Sequence, residues 1–281
     1  MFNGPIENAD LRVISLGAGV QSTVMALKAA KGEIKPMPDA AIFADTGWEP
    51  ENVYEHLQWL KSELPFPVYI TTGYYGNIRE TSLASTKENS KWTPSIPVYI
   101  ASDRPGLGSR SCTNQYKIQP IQKKIRELLG LKPRQHMPKG TVVENWLGIS
   151  LDEIFRAKDS REDFIVNRHP LIEQKITRYI CQNWFAEKYQ KRPLTKSACI
   201  GCPYHTNAQW REMKVNDKTS WDDAVDFDKK LRSGYQNAFH ATSPIYLHKS
   251  MKPLDEVDFA NETDKGQLDM FGEECEGMCG V

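Results

Sequence analysis

The sequence predicts an α/β fold, a parallel sheet flanked by helices, and three observations predict it. Leu11–Leu16 is a short strand-like run. It enters Gly17-Ala18-Gly19 at once, then Gln21-Ser22-Thr23, then a helical pattern of Val24, Met25, Leu27 and Ala30. Asp39–Ala44 reads as a second buried strand. It ends in Asp45-Thr46-Gly47-Trp48-Glu49, before another helical pattern at Val53, Leu57 and Leu60. The same strand–helix alternation then recurs, as it does in a sheet with helices on both faces.

In chain order the pattern predicts strand 11–16, helix 21–31, strand 39–44, helix 50–64 and strand 67–71. Residues 85–111 are rich in Ser, Thr, Pro and Gly and read as a long loop of the kind used as a lid or binding segment. Helix 114–129 and strand 141–149 follow, then helix 174–190 and helices near 207–215 and 221–232. The expected organisation is a nucleotide and cysteine domain over 1–215, a helical extension of it over 216–253, and a flexible acidic tail over 254–281.

The chain has 281 residues, 40% of them hydrophobic, enough for one large domain with a sizeable core. No apolar run reaches ~18 residues, so no membrane helix or membrane partner is expected. The first twelve residues lack a basic and then apolar leader pattern, which makes the cytoplasm the expected compartment. Net charge is zero but unevenly placed. Nine acidic residues and one lysine follow Pro253, leaving 35 basic against 27 acidic residues before it. A basic body suits a polyanionic ligand, and Lys117, Lys123, Lys124, Arg126, Lys132 and Arg134 form a cluster that suits a phosphate backbone.

The Gly17–Thr23 turn is the first chemical signal. A glycine-rich strand-to-helix turn points backbone N–H groups and the positive end of a helix dipole at one spot, and the hydroxyls of Ser22 and Thr23 add donors. No Gly-Lys-Ser/Thr closes the loop, so it is not a Walker A loop. Ser22 stands where a dinucleotide fingerprint needs glycine. Asp45, at the end of a parallel strand, belongs on the same ligand-binding edge of the sheet.

These residues, S-x-G-x-G-x-Q-S-T with A-D-T-G-W-E, resemble the adenine-nucleotide α-hydrolase (PP-loop ATP pyrophosphatase) superfamily, in its phosphoadenosine-phosphosulfate (PAPS) reductase-like branch. Gln21 replaces the acidic residue usual in that loop. The resemblance continues through Lys117-Ile118-Gln119-Pro120 and through Gly148-Ile149-Ser150-Leu151-Asp152-Glu153 with Arg156, and it is closest in character to iron–sulfur-dependent nucleic-acid thiolation enzymes. It implies a Rossmann-like fold. It also implies nucleotide contacts from Ser15, Gly17, Gly19, Gln21, Ser22, Thr23, Asp45, Thr46, Gly47, Gly148 and Arg156. Catalytic roles fall to Asp45, Lys117, Cys112, Cys199, Cys202 and Cys275. The local alternative for Ser150 and Glu153 is a helix-capping box. Trp48, Trp146 and Trp210 are either base-stacking surfaces or core residues. His169, beside Arg168, is a weaker phosphate contact.

Six cysteines carry the second signal. Cys199-Ile200-Gly201-Cys202 is a CxxC with a glycine turn, a geometry that aims two thiolates at one metal or makes a redox pair. Cys112 opens a helix, where thiolate is favoured. Cys181 lies in an apolar helix pattern and reads as a core thiol. Cluster-bearing members of the PAPS reductase branch hold a [4Fe–4S] cluster with cysteines at these places. The resemblance therefore implies Cys112, Cys199 and Cys202 as three cluster ligands, and His205 offers a fourth ligand for Zn²⁺ instead. The tail holds Cys275 and Cys279. Cys275 follows Glu274, as in the reductases' terminal cysteine motif, but the rest of that motif is missing.

The first functional expectation is an ATP-dependent sulfur transferase. It would adenylate its substrate with Mg²⁺ assistance, releasing pyrophosphate, and insert sulfur into DNA or tRNA. A cysteine desulfurase or a thioredoxin-like protein would be the sulfur or electron donor. The alternative is a PAPS or adenosine phosphosulfate (APS) reductase forming sulfite. A non-catalytic nucleotide-binding or zinc-stabilised module is the third.

Overall fold

The structure, a computed structural model, describes residues 4–88, 95–190, 192–238 and 243–260. Five parallel strands form the main sheet. The first three and their helices alternate as β1 (Leu11–Ser15), α1 (Val20–Ala30), β2 (Ala40–Asp45), α2 (Glu51–Glu63) and β3 (Val68–Thr72). After α3 (Ile78–Ala84) come two short strands, β4 (Tyr99–Ile100) and β5 (Gly106–Leu107). A π-helical turn, Asn114–Ile118, leads into α4 (Gln119–Leu128), then β6 (Val143–Leu147), a 3₁₀ segment Leu151–Arg156, and β7 (Ile165–Arg168). The rest is α5 (Pro170–Glu173), α6 (Arg178–Lys188), α7 (Asn207–Asn216), α8 (Lys218–Ser233), α9 (Tyr235–Ala238), β8 (Ile245–Tyr246) and a 3₁₀ turn at Leu254–Glu256.

The sheet order is β3-β2-β1-β6-β7, with every neighbouring pair parallel. Alternation along the strands sends side chains to opposite faces. Ile14, Ala41, Phe43 and Trp146 pack with α1, α2 and α6 through Val24, Leu27, Leu57, Leu60 and Phe185. Val13, Ile42 and Val143 pack on the other face against Ile125 of α4. The predicted α/β class is therefore the observed one. The chain leaves β1 toward β2 and β3, then returns to place β6 on the other side of β1. Ligands bind outside the carboxyl ends of the strands at such a reversal.

Three sequence expectations need correction. Residues 85–111 contain β4 and β5, which with β8 form a three-stranded antiparallel sheet, so this is not one long loop. The predicted helix 174–190 is α6 preceded by the separate short α5, and β7 and α3 escaped the pattern because each is short. Beyond Pro253, Leu254, Val257 and Phe259 are buried in a second core with Trp210, Trp221, Phe227 and Leu231. The packed body thus continues through Phe259. Among the described residues no helix is long and apolar enough to cross a membrane.

Candidate functional site

The sheet reversal opens into a cleft of about 830 Å³, counting its open mouth. Ser15, Gly17, Gly19, Gln21 and Ser22 line it from the β1–α1 turn, and Gly148, Glu153 and Arg156 from the far side of β6. Arg178, Lys196, Ser197, Cys202, Tyr204, His205 and Gln209 close the remaining wall.

The turn is built for close approach. Ala18, not a glycine, takes the left-handed conformation, at φ 53°, and it is fully buried. Gly19 precedes α1 with no side-chain cap, so no side chain of its own satisfies the first-turn amides. Gly148 is required by contact. A Cβ there would lie 2.8 Å from both the N and Cα of Ser22. The end of β6 and the start of α1 therefore touch backbone to backbone.

Cations gather at one end. Arg156 pairs with Glu153 at 2.5 Å, and Arg178 lies 3.8 Å from the same carboxylate. Asp152 accepts the backbone N–H of Arg178 at 3.0 Å, which ties the 3₁₀ segment to α6. One glutamate thus sits between two arginines and Lys196 adds a third cation, so the cleft's formal charge favours an anionic ligand.

Several predicted contacts point elsewhere. Thr23 is fully buried, and its hydroxyl is 2.9 Å from His56 Nε2, in the core rather than the cleft. Asp45 accepts from Gly47 N at 2.7 Å and from the Tyr54 hydroxyl at 2.9 Å. Its carboxylate therefore shapes the 45–49 turn. Burial first, and then Asp45, push the Tyr54 phenol far above its ordinary range, so that hydroxyl stays a donor. Gln21 and Ser15 do line the cleft, where Gln21 reaches Ser150 Oγ at 3.4 Å and Ser15 donates to Asn145 at 2.8 Å. Ser150 makes no side-chain cap, and the Glu153 side chain is engaged with the arginines, so the capping box does not form. Trp48, Trp146 and Trp210 are all core residues, at most 4% exposed. His169 is also buried.

A second, smaller cavity of about 430 Å³ abuts the first and shares Cys202 and Tyr204 with it. Thr46, Arg110, Cys112, Lys117 and Cys199 also line it. Three of the predicted cysteines therefore meet, but not as a metal centre. Among the described residues no group of three or more His, Cys, Asp or Glu could hold a metal ion. This overturns the [4Fe–4S] expectation and its Zn²⁺ alternative, and offers no protein-built Mg²⁺ site. The reason is directional. Cys199 Sγ faces Thr46 Oγ1 at 3.3 Å and Glu49 Oε1 at 3.5 Å, and His205 Nε2 lies 3.0 Å from the Cys199 carbonyl oxygen. Cys181 is a core thiol, as expected, and burial pushes it up to about 12. Cys275 and Cys279 lie outside the described residues.

The sequence reading missed Arg178, Lys196, Ser197, Tyr204 and Gln209. Three had a visible signal. Arg178 directly follows a threonine N-cap, Thr177, and Lys196-Ser197 stands just before the CxxC.

No family model matches the chain, and no curated protein matches it. Among solved structures it is similar to the crystal structure of phosphoadenylyl-sulfate (PAPS) reductase from Candida auris in its phosphate complex. Sequence identity is 15% and the TM-score 0.40, over 65% of this chain and 74% of that one.

Proposed function

We propose that this chain is an enzyme that binds an adenine nucleotide by its phosphates in the Gly17–Ser22 cleft and reduces a phosphosulfate group with a cysteine thiol, releasing sulfite. The observation that carries the reading is Cys202, which lines both the cation-bearing cleft and the cavity of the other two cysteines. A phosphosulfate whose phosphates rest on the uncapped start of α1 has its anionic end within the same cleft as this sulfur. Arg156, Arg178 and Lys196 are the groups available to neutralise the ligand. Arg110 and Lys117 line the second cavity beside its cysteines. The adenine preference rests on the resemblance of the loop residues to the PAPS reductase-like branch.

The test sets sulfite release from PAPS or APS, with a dithiol reductant present, against pyrophosphate release from ATP. Sulfite is expected, and Cys202→Ser should abolish it while the protein still binds the nucleotide in a calorimetric titration. Pyrophosphate without sulfite would replace this reading with ATP-dependent sulfur transfer, and nucleic acid would then be the acceptor to assay. Full sulfite release by the Cys202→Ser protein would remove that thiol from the chemistry.

A further inference from the structure

We infer that Cys199 and Cys202 form a redox-active dithiol, with Cys202 as the attacking sulfur, Cys199 as the resolving sulfur and Glu49 as the acceptor of the Cys199 proton. Three features of the site lead there. The first is the turn. Cys202 N–H donates to the Cys199 carbonyl at 3.0 Å, so the two cysteines end a hydrogen-bonded four-residue turn. Such a turn holds its terminal Cα atoms within ~7 Å, which overlaps the Cα separation of disulfides. The turn is also held in place. Ile200 N–H donates to the Trp48 carbonyl at 2.9 Å, and Gly201 lies so close to the Trp48 ring that a Cβ would come within 2.1 Å of it.

The second feature is the unequal exposure of the two sulfurs. Cys199 is buried, whereas Cys202 is half-buried and borders the open cleft. An incoming reactant meets Cys202 first. The third is the carboxylate. Glu49 is 5% exposed, and its Oε1 is the acceptor 3.5 Å from Cys199 Sγ. Thr46 and Ser197 hydroxyls donate to the two oxygens of the same group, at 3.2 and 3.4 Å. A buried carboxylate set against a buried thiol is placed to take its proton when the sulfur attacks.

The chemistry balances with an external disulfide as oxidant. Cys202 thiolate, its proton given to solvent, attacks one sulfur of that disulfide, and the S–S bond breaks with departure of one thiolate. Cys199 then attacks Cys202 Sγ, and its proton goes to Glu49. The second external thiolate leaves and the Cys199–Cys202 disulfide forms. Two electrons pass from the protein to the external disulfide. The same two electrons are what reduction of a phosphosulfate to sulfite consumes, so the inference deepens the function proposed above. Its test uses no nucleotide, so the two can fail separately.

The probe is oxidised glutathione added to the reduced full-length protein, followed by acid quench, alkylation and peptide mass mapping. A linked Cys199–Cys202 peptide is expected. In Cys199→Ser, glutathione should remain on Cys202 as a stable mixed disulfide. In Glu49→Gln, Cys202 should take glutathione at the unmodified rate while its conversion to the internal disulfide slows by at least about tenfold, with Glu49→Asp recovering part of it. A link from Cys202 to Cys112 in place of Cys199, or no link at all, would overturn the pair. Unchanged resolution in Glu49→Gln would overturn the part given to Glu49. Circular dichroism of each variant separates these results from loss of fold.

Discussion

At the scale of single residues, the site depends on a few atoms of room. Gly148 lets β6 end against the backbone of Ser22, and nothing flexible stands there to give way. Gly148→Ala should therefore push the end of β6 and the start of α1 apart. Overpacking of this kind costs about 1–3 kcal/mol, and nucleotide affinity should fall by more than that loss alone explains, because the α1 amides move with Ser22. Urea unfolding and a nucleotide titration of the same preparation check both parts. Unchanged affinity in a destabilised protein would separate the turn from the ligand. Direction matters as much as room at this scale. Thr23 stands in the sequence beside Ser22 of the cleft and Asp45 beside Thr46 of the second cavity, yet one hydroxyl meets His56 and one carboxylate meets Tyr54. Neither outcome is legible in the motif, because each partner lies on another element.

At the scale of elements, helix α8 organises the second core. Asp228 is 1% exposed and accepts from Leu247 N at 3.2 Å, Leu254 N at 3.1 Å and Arg232 Nε at 2.8 Å. It thereby fastens the segment after β8 across the helix. Its neighbours fasten the other side. Asp223 accepts from the Trp48 indole at 2.5 Å and pairs with Arg79 at 2.8 Å, and Arg79 reaches Asp226 at 2.6 Å. Asp228→Ala would strand two buried backbone donors and a guanidinium. The expected loss is about 3–5 kcal/mol, with faster proteolysis between β8 and the Leu254–Glu256 turn than elsewhere. Equal cleavage rates across the chain would contradict the fastening role. Local patterning made α8 readable. The strap it holds was not, since an acidic, proline-bearing stretch reads as solvated until its partner helix is known.

At the scale of the whole molecule, two histidines in different cores make stability depend on pH. His56, on α2, faces Thr23 of α1, and His248 contacts Asn207 at 3.0 Å and packs edge-on against Phe259. Burial is the leading cause that lowers each from 6.5 to about 4. The sign follows from proton counts. Between those values the unfolded chain holds a proton at each site that the native chain does not. Stability present above pH 6.5 is therefore lost as pH falls toward 4 and levels off below it. Each histidine should contribute about 3 kcal/mol to that fall. Urea unfolding across the window, with His56→Gln and His248→Gln, tests it. The variants should flatten the pH slope whatever they do to absolute stability.

By itself the sequence determined the parallel sheet, the glycine-bearing bend at its reversal and the core fate of Cys181. Each is a matter of local periodicity, which sets the element and the face a side chain takes. Only the tertiary structure decided what the side chains aim at. Cys199 meets Glu49 across 150 positions of chain, and Asp228 meets Leu254 across 26. Spacing in the sequence can bring sulfurs to one cavity. Whether they converge on one metal depends on the hydrogen-bonding groups packed around each of them, and here a hydroxyl and a carboxylate engage Cys199 instead.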